Sequence, residues 1–323
     1  MEAIRIGMHF STRPRELYLI GIGTGHSVAP AMHNYIAKSL QLPWTFRTKE
    51  CSTIEECMNL LRSDICAGAS VTMPYKGEIL GELNEVDELA RTLAACNTVC
   101  VYHTTTGRKL MGTNVDWCGI SGSLLEASIK QPLPSRKTAL VIGAGGAARA
   151  ALYALSSQLG CHHVYILNRD ENEVLGLKRD VDKHYDSPPH ITHVRSIKDA
   201  QALLTPAYII GTVPDSEPVT AEEKLLKILL TEFLGRSEKG VLLDMCYKPR
   251  RTRHIILGQS YKWRTVEGTH VIGHQAERQW RAWVGDDGLQ IPDKQGMWKC
   301  LQQAANESMI VNPRPDRGGI SVI

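Results

Sequence analysis

No stretch of this chain approaches the ~18 consecutive apolar residues that a bilayer-spanning helix needs. No block of lysine and arginine stands out either, and the net charge is only +3 over 323 residues. An electrostatic stripe for nucleic acid is therefore excluded as the basis of function, and so is a membrane span. There is no C-x-x-C pair. The nine cysteines are odd in number and scattered, which reads as free thiols in a reducing compartment, the cytoplasm. Cys96 and Cys100 are close in sequence, but their apolar surroundings read as small buried residues. The first residues, M-E-A-I-R-I-G-M-H-F-S-T-R, lack the apolar core of a signal peptide, and the same compartment is expected. The twelve histidines include His190-x-x-His193 and His270-x-x-x-His274. Neither pair has a cysteine or carboxylate companion in a recognisable zinc pattern, so no metal is expected. Internal repeats and long low-complexity tracts are absent too.

What is present is an ordinary globular balance, 43% hydrophobic and 22% charged, able to bury a sizeable core. The length exceeds one typical compact domain and fits two. The best linker candidate is Q-P-L-P-S-R-K, residues 131–137. After it come T-A-L-V-I, the turn G-A-G-G-A-A, and R-A-A-L-Y-A-L-S-S-Q-L with leucines at helical spacing. H-V-Y-I-L-N (163–168) follows. Strand, glycine turn, helix and strand make one βαβ unit of a parallel sheet. Y-I-I-G-T-V (208–213) and V-L-L-D-M-C (241–246) read as further strands of that sheet. Ahead of the linker, L-Y-L-I-G-I-G (17–23) and G-A-S-V-T-M (68–73) read as strands, and A-P-A-M-H-N-Y-I-A-K-S-L (29–40) as a helix. After residue 272, H-Q-A-E-R-Q-W-R-A-W and D-K-Q-G-M-W-K-C-L-Q-Q-A-A-N read as two helices. N-P-R-P-D-R-G-G is expected to be a loosely held tail.

Gly143-x-Gly145-x-x-Ala148 sits between a strand and a helix, the context that makes a G-x-G-x-x-[GA] pattern informative. Gly143 permits the tight turn, Gly145 lets the backbone approach a pyrophosphate, and Ala148 lets helix and strand pack closely. Gly146 and Ala147 belong to the same turn, just ahead of the helix whose unpaired N–H groups would face the phosphates. The plain alternative is a glycine turn without a ligand. The second strand ends in Asn168-Arg169-Asp170-Glu171-Asn172-Glu173. An acid here can hold the ribose hydroxyls of NAD, whereas NADP needs basic partners for its 2′-phosphate. Arg169 could serve as one, or stack on adenine. Three nearby acids argue against a phosphate, so NAD is the expected cofactor and NADP the alternative.

The stretch G-A-S-V-T-M-P-Y-K (68–76) ends an apolar run on an ammonium. Lys76 either snorkels to water from a surface turn or points into a cleft where a cation is useful. Ahead of it, Gly21-x-Gly23-x-x-His26-Ser27-x-Ala29-Pro30-x-Met32-His33-Asn34 places a hydroxyl in a glycine loop before a helix. After it come A-A-C-N-T-V and G-T-N-V-D-W-C-G.

These blocks, in this order, resemble the shikimate/quinate dehydrogenase family. The family's own blocks read approximately G-x-x-x-x-H-S-x-S-P-x-x-H-N, N-V-T-x-P-x-K, A-x-N-T and G-x-N-T-D-G. The resemblance continues through G-A-G-G-A-A-R, N-R, D-M-C-Y-K-P (244–249) and G-H-Q-A-x-x-Q-x-x-x-W (273–283), spanning residues 17–305. It implies that Lys76 is the catalytic lysine and Asp116 its partner. A desolvated lysine can take the proton of a secondary alcohol, since burial lowers its pKa, and the carboxylate can anchor a neighbouring hydroxyl. The resemblance also assigns Ser27, Thr72, Asn97, Tyr247 and Gln275 to the substrate, and Gly273 to the cofactor. It implies an α/β protein of two domains. Residues 1–122 form a substrate domain, 123–271 a Rossmann-like NAD(P)-binding domain, and 272–323 helices that return to the first.

Three departures from the family pattern stand out. Ala29 replaces the second serine of S-x-S, Ser70 the asparagine of N-V-T-x-P, and Val115-Asp116-Trp117 stands for T-D-G. The family's paired serines hold the ring carboxylate. Quinate carries an extra hydroxyl at that carbon, so the lost serine hydroxyl makes room and forfeits a hydrogen bond of about 0.5–1.5 kcal/mol. Asp170 and Glu173 stand where shikimate-making members carry the threonine and second base of an N-R-T-x-x-R-like clamp for NADP. The expectation is NAD-dependent oxidation of quinate to 3-dehydroquinate, with shikimate to 3-dehydroshikimate as a second reaction. The alternatives are an NADP-dependent shikimate dehydrogenase, or a non-catalytic sensor of these metabolites on the same fold. A monomer and a homodimer both fit.

Overall fold

The computed structural model describes residues 13–105, 107–129 and 137–308. Residues 131–136 of the linker candidate and the N-P-R-P-D-R-G-G tail lie outside them. The chain divides into two compact units. One holds the described residues up to Val115 together with Gln275–Ser308, and the other runs Asp116–His274. Among the described residues no helix is long and apolar enough to cross a membrane. All nine cysteines are free, and Cys96 and Cys100 are buried.

The first unit begins with β1 (Arg15–Gly21), α1 (Ala29–Ser39), β2 (Trp44–Glu50), α2 (Ile54–Arg62) and β3 (Cys66–Val71). It continues with β4 (Glu85–Val86), α3 (Glu88–Leu93), β5 (Thr98–Thr104) and β6 (Gly107–Thr113). The strands order β2-β1-β3-β5-β6-β4. β1 runs parallel to β2 and β3, while β5 is antiparallel to β3 and β6. Every residue of β3 is buried, the pattern of a strand covered on both faces. Helix starts follow the local chemistry. The Thr53 hydroxyl accepts from Glu56 N, and the Asp87 carboxylate accepts from Ala90 N, each satisfying a donor that the helix leaves unpaired.

The second unit holds α4 (Asp116–Ser128), β7 (Thr138–Ile142), α5 (Gly146–Tyr153), β8 (His163–Leu167), α6 (Glu171–His184) and β9 (His190–His193). Then come α7 (Ile197–Ala202), β10 (Tyr208–Gly211), α8 (Ala221–Leu234), β11 (Val241–Asp244), α9 (Arg253–Ser260) and β12 (Arg264–Glu267). All pairings are parallel, in the order β9-β8-β7-β10-β11-β12. Counted in chain order this is 3-2-1-4-5-6, the doubly wound dinucleotide-binding arrangement, with its switch point between β7 and β10. The helix expected over 149–159 starts earlier, at Gly146, and its last turn, Ala154–Gln158, is π-helical. The wider turn keeps Ala154 and Leu155 fully buried.

The last two helices are α10 (Thr269–Val284) and α11 (Lys294–Glu307). From Gln275 onward they belong to the first unit. Trp280 is fully buried, donates to His33 Nδ1 at 3.1 Å and stacks near Trp44. Truncating a tryptophan so placed costs about 3–5 kcal/mol, so this return is a structural anchor of the unit.

Candidate active site

Strand register brings the front-half motifs to one edge of the first sheet. Ile20 pairs with Val71, Ser70 with Thr98, and Thr98 with Thr113. The carboxyl ends of β1, β3 and β6 and the start of β5 therefore lie side by side. Ser27 follows β1, Thr72 and Lys76 follow β3, and Asn97 precedes β5. Backbone bonds tighten the cluster: Thr72 N donates to Ile20 O, Val71 N to Asn97 O, and Cys96 N to Lys76 O at 2.7 Å. Gly21, at φ +146°, could carry no side chain, because a Cβ would stand 2.5 Å from Thr72 Cγ2. The Glu50 carboxylate accepts from the N–H groups of Gly23 and Thr24 and so pins the loop that carries Ser27.

The individual side chains have distinct surroundings. The Ser27 hydroxyl accepts from Ala29 N at 3.2 Å, at the start of α1. Lys76 is half-buried, as are Thr72 and Ser27. Asn97 is buried, and its Oδ1 accepts from Thr98 Oγ1 and from Val115 N. Gln275 projects a buried Oε1 that has no hydrogen-bond partner among the described residues. An unsatisfied buried acceptor is costly, about 1–3 kcal/mol, unless a donor arrives.

Two motif residues serve the architecture. His33 is buried, accepts from Trp280, and stacks on Phe46 at 4.3 Å. Burial pulls its pKa down to about 3, so it stays neutral. Asn34 exchanges two hydrogen bonds with the Phe46 backbone, clamping α1 to β2. Gln279 was not singled out by sequence reasoning, although it is the second glutamine of the Q-x-x-x-Q spacing. Its Nε2 donates to Ser70 Oγ at 3.0 Å, so the serine at the usual asparagine position is engaged by the returning helix.

In the second unit, Gly143 follows β7 at the switch point with φ +111°. A Cβ there would stand 2.5 Å from Thr212 Oγ1, just beyond β10. Gly145 faces open space, and α5 begins with no side-chain cap at Gly145, leaving the N–H groups of Gly146 and Ala147 to an anion. Ala148 is fully buried beneath them. At the end of β8, Asn168 Nδ2 donates to Glu173 Oε2 at 2.7 Å. Asp170 Oδ1 accepts from Asn172 N as the cap of α6. Arg169 is 62% exposed and paired with Glu223 at 2.9 Å, while Glu171 pairs with Arg195. Gly273 lies within α10. Asp116 is 4% exposed at the first residue of α4.

Tyr247 is half-buried on the loop after β11. Buried Asp244 organises this loop, accepting from Cys246 N, Thr252 Oγ1 and His254 Nδ1. Beside Tyr247, Lys248 is 5% exposed, and its Nζ has no hydrogen-bond partner among the described residues. Burial pulls its pKa down to about 8. Between that value and the ordinary lysine pKa near 10.4, the unfolded chain holds a proton that the folded chain has released. Stability therefore rises with pH through this window, and the penalty is complete below about pH 8. Lys248→Met should gain about 1–3 kcal/mol at pH 7, with the gain fading toward pH 10. Thermal melts of both proteins across that range check it; an equal Tm at pH 7 would contradict the buried, unpaired ammonium.

A doubly wound unit with an open glycine loop at its switch point, continuous in chain with a second α/β unit, defines the class of two-domain dinucleotide-binding oxidoreductases. Residues 19–99 match the family described as shikimate dehydrogenase substrate binding domain. A quinate dehydrogenase from Emericella nidulans is 33% identical over 298 residues, covering 85% of this chain and 89% of its own. The chain also spans 17% of the length of the pentafunctional AROM polypeptide of Schizosaccharomyces japonicus, at 32% identity. A shikimate 5-dehydrogenase from Thermus thermophilus, solved with NADP(H) and shikimate, superposes with a TM-score of 0.67 at 25% identity. It covers 90% of this chain and 99% of its own. The quinate dehydrogenase from Corynebacterium glutamicum, solved with NAD, shares the fold at a TM-score of 0.71 and 22% identity. It covers 90% of this chain and 100% of its own. The chain belongs to the shikimate/quinate dehydrogenase family.

Proposed function

We propose that this chain oxidises quinate to 3-dehydroquinate with NAD, and shikimate to 3-dehydroshikimate as a second reaction. The observation that supports the reading is the strand register that puts the backbone of Thr72, Lys76 and Asn97 at one end of the first sheet, where the loop carrying Ser27 leaves β1. Hydroxyls, an amide and an ammonium are the groups that a polyhydroxylated carboxylate requires. Gln275 supports it, because its partnerless buried Oε1 would accept from a substrate hydroxyl. Tyr247 contributes a further hydroxyl. Lys76 takes the proton of the reacting alcohol, and Asp116 anchors the hydroxyl beside it. The dinucleotide, when bound, supplies the two-electron acceptor. Gly143, Gly145, Gly146 and Ala147 would hold its pyrophosphate, and Asn168, Arg169 and Asp170 its adenosine end, with Gly273 as the remaining contact. The open first turn of α5 fits that group. The test is formation of the reduced cofactor by purified protein given quinate and NAD. Absence of turnover with quinate and with shikimate, on either cofactor, would defeat the reading.

A second reading is the NADP-dependent shikimate reaction. The exposed guanidinium of Arg169 favours it, being able to meet a 2′-phosphate.

Specificity between the two acids is proposed to rest on Ala29, buried at the start of α1 directly beside Ser27. Ala29→Ser adds a hydroxyl where quinate needs room. The expected result is a fall in kcat/KM for quinate relative to shikimate by up to about tenfold, the worth of one hydrogen bond. An unchanged ratio would remove Ala29 from the specificity argument.

A further inference from the structure

We propose that Glu126, His270 and His274 form a binding site for a divalent transition metal ion on the nucleotide-binding unit. The two histidines stand four residues apart on α10 and therefore share a face. The carboxylate that their sequence neighbourhood lacks is supplied by Glu126, near the end of α4. His274 Nε2 lies 2.9 Å from Glu126 Oε2, and His270 Nδ1 lies 3.7 Å from the same oxygen. The three donor atoms all fall within 4.8 Å of one another.

These spacings suit an ion. Zinc binds imidazole nitrogen at 2.0–2.1 Å and carboxylate oxygen at 2.0–2.2 Å, so tetrahedral ligands stand about 3.4 Å apart. The two measured separations bracket that value. A simple ion pair would need one histidine; here a second imidazole turns toward the same oxygen. Two imidazoles and a carboxylate are also a recurrent three-ligand zinc set that leaves one position for water.

The helices hold the ligands firmly. α4 carries glycine at the contact positions. A Cβ on Gly119 would stand 2.4 Å from Val271 O, and one on Gly122 would stand 2.9 Å from the His274 ring. The missing side chains let α10 lie close on α4 and seat the His274 imidazole against the α4 backbone. Both histidines are half-buried and Glu126 is exposed, so the ligands are backed by protein while the ion can enter from solvent.

The test uses full-length, chelator-treated protein carrying no histidine tag, titrated calorimetrically with Ni²⁺, an ion well suited to imidazole; the cysteines are all buried or half-buried. One equivalent should bind. His270→Ala and His274→Ala should each weaken binding at least tenfold, and Glu126→Gln by a smaller factor. No Ni²⁺ binding, or full binding in the double histidine variant, would overturn the proposal. Circular dichroism checks that each variant is folded. Imidazole nitrogen resonances of the wild type provide a second reading: His270 and His274 must shift on adding Ni²⁺ or Zn²⁺, and shifts confined to other histidines would also overturn it.

Discussion

Replacing Lys76 with alanine should lower kcat by about 10²–10⁴-fold, the usual contribution of a positioned acid–base group. Its backbone explains why the fold should survive. Lys76 is held by the Cys96 N–H on its carbonyl and by the turn after β3, and neither involves the side chain. KM should move far less than kcat, because Ser27, Thr72, Asn97 and Gln275, the residues proposed to bind substrate, are untouched. Asp116→Ala should lower kcat on the same scale. Its site is more delicate, since an acid at the first residue of α4 also stabilises the helix dipole by about 0.3–1 kcal/mol. Asp116→Asn keeps the size of the side chain and removes only the charge, so a loss of kcat there is not a loss of packing. Steady-state kinetics with circular dichroism on each variant is the measurement. A near-normal kcat in either alanine variant would remove that residue from the mechanism.

Asp170→Thr combined with Glu173→Arg should swing the ratio of kcat/KM for NAD and NADP at least tenfold toward NADP. At the end of β8 the charges are partly paired off: Arg169 with Glu223, and Arg195 with Glu171. Asp170 and Glu173 receive hydrogen bonds from Asn172 N and Asn168 Nδ2, which neutralise neither. Two carboxylates thus remain in excess where the adenosine ribose of a bound cofactor is proposed to lie. One such charge 4 Å from a phosphate is worth about 4 kcal/mol at an effective dielectric of 20. Solvent at an exposed edge reduces this to about 1–3 kcal/mol, or about 5–150-fold in favour of NAD. Asp170 also caps α6, which orients its oxygen toward the helix and puts the effect at the lower end of that range. Threonine can cap as well, so the double change need not unwind α6. A wild type already preferring NADP would reject the NAD assignment and weaken the case for quinate with it.

Much of this was legible because the signals are local. T-A-L-V-I followed by glycines can only be a buried strand entering a turn, and β7, Gly143 and α5 follow directly. The strand order could be anticipated only by resemblance, since parallel pairing joins segments far apart in sequence. The roles of His33 and Asn34 were hidden for the same reason. Their partners, Trp280 and Phe46, come from α10 and β2, so a motif position proved to be a structural clamp. Asp170 shows the limit most clearly: an acid after a strand can serve as a ribose ligand, a helix cap or both, and its bond from the Asn172 N–H as cap of α6 is known only from the fold. Glu126 could not have been matched to His270 and His274 from spacing, because α4 and α10 lie at opposite ends of the second unit's sequence.

The most direct measurement of the central claim is kcat/KM for quinate and for shikimate, each with NAD and with NADP, on purified wild-type protein. The account predicts the highest value for quinate with NAD, lower but measurable turnover of shikimate, and a preference for NAD with both acids. No turnover in any of the four combinations, or the highest value for shikimate with NADP, would contradict it.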